Sequence, residues 1–169
     1  IAAFQVAQIL AREGDDGGAV KWAERAYTFA PGFDWPRRYL GRYYLRNGQF
    51  DEAERHYREQ LSLDPSRGDL WMDLASVYEE KGDLEKAASV LKEAVEKAPD
   101  HRDLFGHGFR ISAMLGRRDE AAMFVSRWLE GHGDDREFRA LLDDIDRILY
   151  EEFGVGSPPD SPTVKENDE

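Results

Sequence analysis

Apolar residues recur at helical spacing through most of the chain, as in Leu70, Trp71, Leu74, Val77 and Tyr78, then Ala87, Ala88, Leu91, Ala94 and Val95. Polar positions between them leave each run with one apolar face, the pattern of amphipathic helices rather than strands. The breaks between runs return at a fixed interval. Gly14, Gly48, Gly82 and Gly116 stand 34 residues apart, as do Ala19, Ala53, Ala87 and Ala121, and as do Pro31, Pro65 and Pro99, with Gly133 in the fourth place. Self-similarity at such a period marks stacked supersecondary units. Each column has a physical task. The Gly ends a first helix in a left-handed conformation. Acids follow at Asp51, Glu52, Glu85, Asp119 and Glu120, where a second helix begins and its free amides favour negative charge. The Ala admits close helix approach, and the Pro stops the second helix.

Every copy is thus a helix-turn-helix hairpin, and the pattern closely resembles the tetratricopeptide repeat family. That family has an aromatic at position 4, Leu at 7, a small residue at 8, Tyr at 11, Gly at 15, Ala at 20, an apolar residue at 24, Ala at 27 and Pro at 32 of a 34-residue unit. The third copy supplies Trp71, Leu74, Ala75, Tyr78, Gly82, Ala87, Leu91, Ala94 and Pro99 and matches every column. The second supplies Leu40, Gly41, Tyr44, Gly48, Ala53, Tyr57 and Pro65, with Arg37 and Gln60 at positions 4 and 27. The first keeps the register with small residues (Ala3, Val6, Ala7, Leu10, Ala23, Ala26), so it is expected to pack more loosely. In the fourth, Gly108 stands at position 7 and Phe109 at 8, so bulk has moved one residue along the helix. Gly106 and Gly108 in one helix cost about 1 kcal/mol each relative to Ala unless a neighbour packs on the bare backbone.

The resemblance implies an all-α, right-handed solenoid of four hairpins, residues 1–33, 34–67, 68–101 and 102–133. A ninth helix over 134–153, started by Asp134 or Asp135 and carrying Phe138, Leu141, Leu142, Ile145, Ile148, Leu149 and Phe153 on one face, closes the stack. Residues 154–169 combine Pro, Gly, Ser and charge with almost nothing apolar, which predicts a disordered acidic tail. The other end looks unfinished. Residue 1 falls near position 2 of a repeat, with no initiator Met. The expectation is a C-terminal tetratricopeptide region of a longer protein, whose apolar edge at Ile1, Phe4 and Ile9, when the chain is truncated, either leaves residues 1–30 frayed or is buried against a second copy.

Charge changes the picture mainly by exclusion. Asp and Glu outnumber Lys and Arg 35 to 23, a net charge of −12. Residues 1–67 balance to zero, and the acid gathers toward the C-terminal end. Such a surface repels phosphate backbones and anionic lipid, so no nucleic acid partner is expected. No apolar run is long enough to span a bilayer. The absence of Cys removes thiol chemistry and leaves the compartment open, cytoplasmic or periplasmic. Catalytic, metal and cofactor sites are assigned to none of the residues. The four His fall in no nucleophile or metal pattern; His101, Asp103 and His107 come nearest and read as a solvated helix end. Gly106-His107-Gly108 and Gly154-Val155-Gly156 follow no strand and are not phosphate loops.

The inner surface remains. In this family, positions 2, 5, 6, 9, 12 and 13 of each first helix line a concave groove. The resemblance therefore implies a peptide-binding surface containing Trp35, Arg38, Tyr39, Arg42 and Arg46 from the second copy. The third adds Asp69, Met72, Asp73 and Ser76, and the fourth His107 and Arg110. Arg38, Arg42 and Arg46 form one stripe at i, i+4, i+8, facing Asp69 and Asp73, so self-pairing competes with ligand contact. Trp71 and Trp128 belong to packing columns, whereas Trp22 is expected to face outward. The family's carboxylate clamp, aligned here, would use Arg38, Arg42, Asp73, Asp103 and His107, and Asp73 would repel the terminal carboxylate it should hold. The expected function is a non-enzymatic protein-interaction module that binds a protein or peptide segment. The alternative is a structural or regulatory appendage packed in cis on an upstream catalytic or membrane-embedded domain.

Overall fold

The computed structural model describes residues 2–30 and 34–156. Among them are ten α-helices and no strand: α1 (Ala2–Glu13), α2 (Asp16–Phe29), α3 (Asp34–Arg46), α4 (Phe50–Leu63), α5 (Gly68–Glu80), α6 (Leu84–Lys97), α7 (Arg102–Met114), α8 (Arg118–Gly131), α9 (Arg136–Asp143) and α10 (Ile145–Phe153). None is long and apolar enough to cross a membrane. The chain forms two compact units that divide between Leu104 and Phe105, inside α7.

The 34-residue register appears directly in the backbone. Gly14, Gly48, Gly82 and Gly116 all take positive φ, between 70° and 82°, where a side chain would be strained. The residue after each donates its N–H to the carbonyl five residues earlier: Asp15 to Leu10, Gln49 to Tyr44, Asp83 to Tyr78 and Arg117 to Ser112, at 2.8–3.0 Å. Asp15 and Asp83 then accept the amides of Gly18 and Lys86 and cap α2 and α6. The four column alanines are fully buried. In the first unit α1 packs on α2, α3 on α4 and α5 on α6, and the hairpins join through α2 on α3 and α4 on α5.

In the second unit the offset bulk of the fourth repeat has a counterpart. The Phe124 ring lies on the bare backbone of Gly108, where a Cβ would come within 2.3 Å of Phe124 Cε1. Phe105 meets Trp128 at 5.2 Å between ring centroids. Trp128 is buried, and its indole N–H donates to Asp135 at 2.9 Å, while the same carboxylate accepts the Phe138 amide and caps α9.

The single closing helix expected over 134–153 is instead two helices, α9 and α10. Asp144 sits at φ −103°, ψ 13°, the sparsely allowed bridge region. Its N–H bonds Ala140 and its carbonyl accepts from Ile148, so it ends one helix and starts the next. Adjacent aspartates favour such a break because their carboxylates compete for nearby backbone groups. Both short helices pack on α8, burying Phe138, Ile145 and Leu149; Arg118 pairs with Asp146 across that contact. Of the expected tail, residues 157–169 lie outside the described residues, as does Ile1 at the edge expected to self-associate.

Candidate functional site

The expected contact residues of the first unit stand on α3 and α5, and Phe4 of α1 joins them. The Phe4 ring on α1 meets the Trp35 ring on α3 edge-on, with centroids 5.0 Å apart and planes at 89°. Trp35 in turn stacks on Tyr39 at 5.1 Å and 11°. All three are half-buried. The Tyr39 hydroxyl donates to Asp16 at 3.2 Å, and burial together with that bond pushes its pKa up to about 12. The phenol therefore stays neutral and able to donate throughout the physiological range.

Beside this aromatic run the Arg stripe of α3 meets the acids of α5. Arg38 reaches Asp69 at 2.6 Å and Asp73 at 3.3 Å, Arg42 reaches Asp73 at 3.4 Å, and Arg67 grips Asp69 with two N–H groups at 2.9 Å each. Those Arg67 bonds, helped by Arg38, hold the Asp69 carboxyl below the usual range. Arg46 turns to Asp16 at 3.6 Å. The arginines thus pair within the chain. The Arg42 and Arg46 side chains nevertheless stay more than half exposed, and exposed pairs of this kind contribute about 0–1 kcal/mol. A ligand carboxylate can compete for either guanidinium at small cost. Met72 and Ser76 are half-buried on α5, the Ser76 hydroxyl donating to the Met72 carbonyl.

The remaining expected residues stand on α7 in the second unit. His107 is buried, and Arg110 is exposed with an N–H 3.7 Å from Met114 Sδ. Among the described residues no group of three His, Asp or Glu side chains has metal-ligating geometry. The His101 ring lies against Gly68, on the space a Cβ there would need. Trp71 and Trp128 are buried packing residues. Trp22 is half-buried rather than outward, lining a cleft with Phe4.

In the sequence Arg37 and Gln60 stand out only as departures from the repeat; the structure shows them buried, together with His56. The His56 ring stacks on Tyr44 and meets Tyr27 edge-on, while the Arg37 guanidinium lies 5.0 Å from the centroid of the Tyr27 ring. Tyr27 and Tyr44 bond Glu59 and Glu24 across the α2–α4 and α2–α3 contacts, at 2.6 and 2.9 Å. Two polar replacements in facing columns were the available signal. Burial, with Arg55 and Arg37 nearby, pushes the His56 pKa below 6.5. The folded chain then binds fewer protons here than the unfolded chain. Stability is retained above pH 6.5 and falls as the pH drops below it, by up to about 1.4 kcal/mol per unit until the folded His56 itself titrates. His56→Phe keeps the ring stack and removes the titration. Urea unfolding at pH 7.5 and 5.5 should show a larger acid loss in the parent chain, and equal losses would place the proton elsewhere.

The fold defines a helical-repeat protein built from antiparallel hairpins. Sequence signatures described as tetratricopeptide repeat match residues 40–102 and 80–145, and the chain belongs to the tetratricopeptide repeat family, whose members generally bind protein partners and are generally non-catalytic. TPR repeat-containing protein YpiA of Bacillus subtilis (strain 168) is 26% identical over 127 residues, 74% of this chain. The chain spans 29% of that relative's length. Among solved structures, TTC0263, a thermophilic TPR protein of Thermus thermophilus, is similar with a TM-score of 0.56 and 26% identity, covering 90% of this chain and 82% of its own. The MamA protein is similar with a TM-score of 0.63 and 15% identity, covering 94% and 97%; at that identity the likeness concerns the fold.

Proposed function

We propose that this protein is a non-enzymatic interaction module that holds an extended partner segment along the α1–α3–α5 face. The observation that carries this reading is the half-exposed run Phe4–Trp35–Tyr39 lying beside the Arg38/Arg42 and Asp69/Asp73 array. Aromatic rings fixed by stacking lose little entropy on contact, and aromatics and Arg dominate the energetics of interfaces. Arg42 and Arg46 supply exposed cations for an acidic side chain of the segment, and Met72 adds an adaptable apolar patch. Asp73 disfavours a bare chain terminus and so favours internal segments.

The test is selection of peptides from a random display library on the whole chain, followed by titration of the recovered sequences. Tyr39→Ala combined with Arg42→Ala should weaken binding by at least about tenfold, with helicity unchanged by circular dichroism. Recovered peptides that bind the double variant as tightly as the parent would move the interaction to another surface.

A further inference from the structure

The first hairpin contains a cleft of about 400 Å³ between α1, α2 and the start of α3. Its origin is legible by comparing the chain with itself. Two facing columns, one on each helix of a hairpin, hold Arg37 with Gln60 in the second repeat, Trp71 with Ala94 in the third, and Phe105 with Trp128 in the fourth. Each of these pairs includes at least one large side chain, and all six residues are buried. In the fourth repeat the two rings touch; in the third, the Trp71 indole donates to the Pro65 carbonyl at 2.8 Å. The first repeat has Ala3 and Ala26 in these places, with Ala2 and Ala30 beside them, and all four line the cleft.

The space that a ring fills in the third and fourth repeats is therefore open here, and Phe4 and Pro36 line it beside the alanines. Trp22 and Phe29 flank it, the latter 76% exposed. Arg25 stands at its edge with its guanidinium 5.3 Å over the Trp22 ring. An apolar cleft beside a cation stacked on an indole matches an aromatic ring with a carboxylate one residue away.

From this we infer a second binding site, adjoining the α1–α3–α5 face at Phe4: the Ala3/Ala26 cleft receives a Trp or Phe side chain of a partner polypeptide, with an adjacent Asp or Glu on Arg25. The occupant supplies the ring that the first repeat lacks. The charge complementarity selects an acidic aromatic motif over a basic one.

The probe is an acetylated and amidated pentapeptide, Gly-Gly-Trp-Glu-Gly, titrated against the 15N-labelled chain while the indole N–H of Trp22 is followed. The expected result is a saturable shift of that signal, lost when Ala replaces the peptide's Trp. Binding should weaken about two- to fivefold when Gln replaces its Glu or when the protein carries Arg25→Gln. Ala3→Trp fills the cleft from within and should abolish binding while the chain stays folded by circular dichroism; Ala26→Leu is the second variant should the first fail to fold. Arg42→Gln, on the other face, should leave this binding unchanged. Absence of a shift at millimolar peptide, or equal binding by the filled variants, overturns the assignment. So does a chain that dimerises in light scattering and becomes monomeric with Ala3→Trp, since a second copy would then be the occupant.

Discussion

A chain shortened to end at Asp135 is expected to lose the fold of residues 105–135. The two closing helices contribute Phe138, Ile145 and Leu149 to the second unit, each less than 5% exposed. Burying a side chain of that size contributes about 1.5–3 kcal/mol, and three together rival the roughly 5–15 kcal/mol by which a whole domain is stable. Trp128 would also lose the Phe138 ring, whose centroid lies 5.8 Å away, and Arg118 would lose Asp146. The shortened hairpin would present Trp128 and Phe105 to water and aggregate. Hydrogen exchange across residues 105–135 reads the effect. Protection equal to that of the whole chain would mean that α9 and α10 decorate the unit rather than complete it.

The second large effect separates two glycines in one helix. On intrinsic propensity alone, Gly106→Ala and Gly108→Ala should each stabilise α7 by about 1 kcal/mol. At Gly106 that expectation stands, because a new Cβ would meet only Phe138 Cζ at 3.8 Å, an ordinary contact. At Gly108 the sign reverses. The Cβ would lie 2.3 Å from Phe124 Cε1, on a ring with no exposed surface, and overpacking of this kind costs about 1–3 kcal/mol. A net loss of up to about 2 kcal/mol is expected in urea unfolding, with partial recovery when Gly108→Ala is combined with Phe124→Leu. Parallel stabilisation by both single changes would show that the Phe124 ring moves aside freely.

This pair also shows what a single sequence can and cannot disclose. The repeat columns place eight helices and their turns, because glycine at positive φ and buried alanine are local demands that one residue type answers. The sequence likewise shows Gly108 and Phe109 out of place. It does not show Phe124 filling the gap, since that contact joins residues sixteen apart whose side chains satisfy each other only in three dimensions. The Asp143-Asp144 pair weakens a helix only modestly by propensity, so by itself it does not announce a break, and the packing of both short helices on α8 decides the matter. On the α1–α3–α5 face, spacing placed Arg38 and Arg42 opposite Asp69 and Asp73, but their pairing depends on the separation of the two helices. The burial of Arg37, His56 and Gln60 was hidden for the same reason: hydropathy reads them as surface, and only the neighbouring tyrosines and glutamates make an interior place for them.

The contacts by which the first hairpin is fastened to the second have a mechanical consequence. Tyr27 to Glu59, Tyr44 to Glu24 and Tyr39 to Asp16 are directional bonds, and such bonds weaken steeply once their geometry is disturbed. Apolar contact fades gradually as surfaces slide. Under a pulling force, the joint between α1–α2 and α3–α4 would therefore hold nearly undeformed and then let go within a short extension, like a press-stud. The joint to the third hairpin, crossed by Arg38 and Arg42 to Asp69 and Asp73 and by Arg58 to the Tyr78 hydroxyl, would release in the same manner.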